Sequence, residues 1–227
     1  MKLSKNQSGN VGLIAVALIA GLVIGFAIVK VADKNKVNKP AAGSVITASA
    51  ETLSNNLVTL GLQHMNLTDQ AVDAALDGSP SAPAIEAQLF ANGNSIGAAV
   101  GSVYGTSAQT TFDAVWKLHL TQFVNYAVAD KEGNAAGKTA ALNAIQTGYT
   151  IPLAQYLAKA NPNLPENVLQ TDLSDHVAMT ATMIDDHVQG NYVAEAAELN
   201  MADQHIEGIF STLASGIVKQ FPAKFAN

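Results

Sequence analysis

Residues 112–134 read FDAVWKLHLTQFVNYAVADKEGN, and this stretch sets the pattern for most of the chain. Counted from His119, Phe112, Val115, Trp116, Phe123 and Tyr126 stand at −7, −4, −3, +4 and +7, offsets that share one face of a helix. Thirteen residues separate the histidine from Gly133-Asn134. Glycine takes the left-handed conformation that ends a helix, and asparagine or serine caps the next one. The same design recurs in residues 57–79, LVTLGLQHMNLTDQAVDAALDGS, and in residues 169–191, LQTDLSDHVAMTATMIDDHVQGN. His64 precedes Gly78-Ser79, and His176 precedes Gly190-Asn191, at the same separation. The histidines are spaced 55 and 57 residues apart, a period at which each repeat holds one helical hairpin.

Three hairpins predict six helices near 48–76, 82–104, 107–131, 135–160, 165–188 and 192–220. Gly105-Thr106-Ser107 breaks and caps between the first two hairpins. Asn161-Pro162-Asn163-Leu164-Pro165 separates the second from the third, with Pro165 suited to a first helical turn. Pro152 lies inside the fourth helix and predicts a kink near 147–151, because proline lacks an amide hydrogen and crowds the preceding turn. A single hairpin cannot bury its own apolar stripe, so the three must pack into one all-α bundle over residues 47–227.

The histidines sit on the apolar stripes and point inward. If the hairpins pack with approximate three-fold equivalence, His64, His119 and His176 converge. His205, in the last helix, is an addition to the pattern, since Gly93 and Gly148 hold the equivalent positions. Neutral imidazoles from several helices are what a bundle metal site uses. Met179 and Met183 share a helix face with His176, and Met201 lies four residues before His205. Thioethers favour Cu(I), which places copper ahead of zinc or iron. Met65, adjacent to His64, points about 100° away from it. The bland reading stands beside this one: methionine commonly fills cores, and the histidines then form a buried hydrogen-bond cluster with no metal. His187, beside Asp185 and Asp186 near Gly190, is expected to be solvated at the bundle end.

Catalytic signatures are sparse. The sequence holds no phosphate-binding glycine loop, no HExxH and no GxSxG. The residues three before His64, His119, His176 and His205 are Gly61, Trp116, Leu173 and Ala202, so the Glu-x-x-His pairs of bundle di-iron sites are missing. An enzyme ranks behind a binding or structural module.

The first 46 residues differ in kind. Residues 1–10 form a short basic head, and residues 11–29, VGLIAVALIAGLVIGFAIV, are an uncharged run of 19. At about 1.5 Å per residue that run spans a hydrocarbon core of roughly 30 Å and reads as a retained membrane anchor. Ala17, Gly21 and Gly25 make a small-residue stripe able to pair two anchors as a homodimer. Residues 30–46 are a charged linker carrying Pro40 and Gly43. Lysine counts on the two sides of the run leave its orientation ambiguous. The lysine-poor, Asn- and Thr-rich domain favours the extracytoplasmic side of a cell membrane.

The 227-residue chain has a net charge of −6, no cysteine, and twelve lysines with no arginine. Residues 1–40 set six lysines against Asp33, or +5, and the remainder sets six lysines against seventeen acids, or −11. Such a field repels phosphate backbones, so no nucleic-acid partner is expected. Lack of cysteine excludes disulfides, thiolate metal sites and thiol nucleophiles.

Ser102-Val103-Tyr104-Gly105, the Trp116-x-x-His119-x-x-x-Phe123 helix, residues 160–165 (ANPNLP) and residues 219–225 (KQFPAKF) resemble a family of exported, largely uncharacterised bacterial all-helical proteins. Some members carry a copper-amine-oxidase-like label that belongs to an appended β domain absent from these residues. The family tends to have Glu before its first histidine, where Gln63 stands here. The resemblance covers about residues 55–225 and implies export and an all-helical fold, without supplying a catalytic residue.

Overall fold

A computed structural model describes residues 47–226. The proposed head, anchor, pairing stripe and linker (residues 1–46) lie outside the described residues. Among those that are described, no helix is long and apolar enough to cross a membrane.

The described chain is all-helical. Helices α1 (Ala48–Leu76), α2 (Ala82–Tyr104), α3 (Thr106–Lys131), α4 (Ala135–Ile145), α5 (Ile151–Ala160), α6 (Glu166–Val188) and α7 (Tyr192–Gln220) follow one another, and a π turn, Gln146–Thr150, joins α4 to α5. With α4, the π turn and α5 taken together as one interrupted helix, these are the six segments of three hairpins.

The hairpin turns are built alike because their sequences are alike. Gly78, Gly133 and Gly190 have φ of 67°, 66° and 72°. The next amide donates to the carbonyl five residues back at 2.8 Å in each turn: Ser79 to Ala74, Asn134 to Ala129 and Asn191 to Asp186. This is the bonding by which a left-handed glycine closes a helix. Capping of the following helices is less uniform than expected. Only Asn134 caps with its side chain, accepting from the Gly137 amide at 2.9 Å. Ser79 lies upstream of Ser81, the residue that opens α2, and Asn191 opens α7 without a side-chain cap bond. Between α2 and α3, Gly105 with φ of 92° turns the chain by itself, so Thr106 and Ser107 fall inside α3 rather than capping it.

Packing around the bundle is cyclic. α1 adjoins α2, α2 adjoins α3, α3 adjoins α4, α5 adjoins α6, α6 adjoins α7, and α7 returns to α1. The three histidine-bearing helices, α1, α3 and α6, also touch one another, so they form the inner set, and α2, α4–α5 and α7 each lie against two of them. All three inner helices bury offsets −7, −3, +1, +4 and +8 from their histidine: Leu57, Gly61, Met65, Thr68 and Val72 in α1, with matching sets in α3 and α6. The sequence reading pointed Met65 about 100° away from His64, yet this +1 position is buried as well. An inner helix meets neighbours on several sides, so its buried arc is wider than a surface helix's stripe.

At the end opposite the hairpin turns, three of the stretches quoted for the family resemblance meet. Asn161 Nδ2 donates to the Tyr104 hydroxyl at 3.0 Å, and that hydroxyl donates to Gln220 Oε1 at 2.8 Å. The Gln220 amide donates to the Ala160 carbonyl at 2.8 Å, and Phe221 packs edge-on against Tyr104 at 5.6 Å. These motifs fasten the ends of α2, α5 and α7 together.

Candidate metal centre

α1, α3 and α6 bring His64, His119 and His176 to the middle of the bundle. The three rings are 0–1% exposed. From His64, the ring centroids of His119 and His176 lie at 5.5 and 5.9 Å. One nitrogen from each ring falls within 4.8 Å of the others. A metal bound at about 2 Å from each needs nitrogens roughly 3.4 Å apart, so the rings would have to draw closer to hold it.

Aromatic side chains wall the centre. Tyr149 stacks on His119 at 4.1 Å and 23°. Trp116 meets His119 edge-on at 4.7 Å and lies 4.9 Å from His64. Phe210 backs the Trp116 ring at 6.4 Å, and two glycines admit these packings: a Cβ on Gly93 would come within 2.8 Å of the Trp116 ring, and one on Gly61 within 2.3 Å of Phe210. Tyr149 owes its place to the π turn, which is the form taken by the disruption expected before Pro152. Such single π turns are often found at functional sites.

Polar satisfaction at the centre is poor. Both nitrogens of His119 and His176 and Nδ1 of His64 are buried without a hydrogen-bond partner. Thr68 and Thr180 do not help, because their hydroxyls donate to the His64 and His176 carbonyls at 2.8 and 2.9 Å. Burial depresses His64 to about 3, with the neighbouring His176 adding to the effect. His176 falls to about 4 through burial and then His205. Burial also holds His119 well below its ordinary range, aided by the other two imidazoles; the Trp116 carbonyl opposes this without reaching hydrogen-bond geometry. The rings are therefore neutral at ordinary pH, with lone pairs free for a metal.

Of the other residues singled out from the sequence, His205 is not among the converging rings. His205 is half-buried on α7, and its Nε2 donates to the Asp172 carbonyl at 2.8 Å. Met183 is buried, Met179 is half-buried against the core, and Met201 is 47% exposed and so outside the centre. His187 corrects the sequence reading: it is 7% exposed rather than solvated, and it sits among acids. Its Nδ1 lies 2.9 Å from both Glu195 Oε1 and Asp73 Oδ1, and its Nε2 lies 3.3 Å from Asp77 Oδ1. Sequence reasoning missed this cluster, although His187 falls on nearly the same face as His176, three turns on.

Searches against protein-family models, curated proteins and solved structures found no match.

Proposed function

We propose that this protein is a membrane-anchored, extracytoplasmic helical module that binds a transition metal, copper as Cu(I), through His64, His119 and His176. The observation that carries this reading is the set of five orphaned imidazole nitrogens at the bundle centre. Buried polar groups cost free energy unless paired, and a metal taking one nitrogen from each ring would satisfy up to three of these five in one step. The preference for copper rests on charge and ligand type. The triad offers three neutral nitrogens and no carboxylate, and the cost of burying an ion rises with the square of its charge. A monovalent d10 ion that accepts imidazole ligands suits such a pocket better than a divalent one. Enclosure by Trp116 and Tyr149 favours holding, sensing or storing the metal over turnover.

The metal-free alternative is a structural or protein-interaction module. In its favour stands an apolar groove of about 180 Å³ between α1, α2 and α3, lined by Val72, Leu89, Phe90, Phe123, Val124 and Val128. Its hydrogen-bond cluster has less support, since no hydrogen bond joins the three rings.

Trp116 is the only tryptophan and lies within 5 Å of two of the rings, so its fluorescence reports the site directly. Titrating the full chain with Cu(I) under anaerobic conditions should quench that emission to an end point of one equivalent. X-ray absorption should then show nitrogen ligands at about 2 Å. No quenching, no retained metal and no thermal shift on adding Cu(I) would sink the proposal.

A further inference from the structure

His187 lies three turns along α6 from His176, roughly 16 Å at the helical rise, and belongs to a different constellation. α1 supplies Asp73, α6 supplies His187 and α7 supplies Glu195, each offering one ligand atom within 4.8 Å of the others. His187 and Glu195 are 7% and 6% exposed.

The proton count in this cluster does not close. Nδ1 carries at most one hydrogen, yet two carboxylate oxygens approach it at 2.9 Å. Its bond to Glu195 leaves Asp73 Oδ1 buried with no hydrogen-bond partner. Asp77 takes the other ring nitrogen at 3.3 Å, and the charges of Asp69 and Asp203 lie close by. Among the described residues, lysine forms ion pairs only through Lys138, with Asp130 and Asp185, so none neutralises these acids. A buried oxygen aimed at an imidazole and a second buried carboxylate lacks a cation or a proton.

We propose that Asp73, His187 and Glu195 form a second metal site, for a divalent cation of the kind that takes mixed carboxylate and imidazole ligands, such as Mn²⁺ or Zn²⁺. Its donor set is the converse of the three-histidine centre. Two carboxylates offset a double charge and favour oxygen-seeking ions, whereas the triad offers only neutral nitrogen. This inference stands whether or not the triad binds copper.

Mn²⁺ is the probe, since its free-ion electron paramagnetic resonance signal falls as it binds and a neutral three-imidazole site attracts it weakly. The full chain should take up one equivalent. Asp73→Asn and Glu195→Gln should each weaken uptake by more than the ten- to hundredfold or so that outer-shell changes cause, while His119→Ala, which dismantles the other centre, should leave uptake unchanged. Asp73 is partly exposed and Glu195→Gln keeps a hydrogen-bonding group for His187, so circular dichroism should show both variants folded. The proposal fails if no Mn²⁺ binds, if binding survives both carboxylate changes, or if His119→Ala abolishes it. It also fails if Asp73→Asn raises metal-free stability while no Mn²⁺ binds, because protons alone then hold the cluster together.

Discussion

At the scale of single residues, the imidazole of His119 is the most enclosed of the three rings. It is fully buried, both its nitrogens lack partners, and Tyr149 and Trp116 cover it. His119→Ala should therefore abolish Cu(I) binding, checked by the loss of Trp116 quenching. The depressed histidines also fix a pH dependence for the metal-free protein. His64 and His176 stay neutral in the fold down to about 3 and about 4, but in the unfolded chain they protonate near 6.5. The unfolded state then binds more protons, so stability is fully present above about 6.5 and is lost as pH falls towards the folded values. Each histidine contributes about 1.4 kcal/mol per pH unit across that window. Asp69 and Asp73, raised to about 6 and about 7, act in the opposite sense, losing stability as pH rises through those values. Because the two sets oppose each other, the test is a difference: between pH 7 and 4, acidification should raise the denaturant midpoint of His176→Gln relative to that of the native chain. A second residue-scale test uses Gly93, where an added methyl would press the Trp116 ring. Gly93→Ala should cost about 1–3 kcal/mol as an overpacking change and shift the emission of the sole tryptophan.

Among the elements, the hairpin turns are the cleanest case of a local rule deciding structure. Nothing lies within 4 Å of where a Cβ on Gly133 would stand, and its φ is 66°. Gly133→Ala should thus cost about 1–2 kcal/mol through backbone conformation alone, measured as a lowered denaturant midpoint with metal binding kept. The π turn is the opposite case. Pro152 announces a disruption in the sequence, but not that it takes the form of an extra residue in the turn, nor that Tyr149 is thereby laid on His119. The inner helices show a similar division. Offsets −7, −3 and +4 from each histidine were legible as core from their period. The buried +1 residues Met65, Leu120 and Val177 were not, because their burial depends on how many neighbours surround the helix. His205 was placed with the triad on its helical face alone; its bond to the Asp172 carbonyl reflects where α7 sits against α6.

For the whole molecule, the cyclic arrangement of six segments around three inner helices is what turns a repeat into a centre. A ligand bound only by the native state stabilises it, by about 2.7 kcal/mol at a hundredfold excess over Kd. Cu(I) should accordingly raise the unfolding temperature of the full chain, and a strong chelator should return it to the metal-free value. The sequence by itself determined the helices, their ends and the three repeated histidines, because periodicity, left-handed glycines and prolines act over a few residues. It also excluded thiol and arginine chemistry by composition. Tertiary structure alone decided that the three imidazoles meet without hydrogen-bond partners and that Tyr149 and Trp116 enclose them. It likewise drew Asp73, His187 and Glu195 from three helices into one cluster, with His187 and Glu195 buried and Asp73 partly exposed. Convergence of that kind depends on interhelical rotation and distance, and these are set by side-chain packing between segments far apart in the sequence, 55 and 57 residues from one histidine to the next.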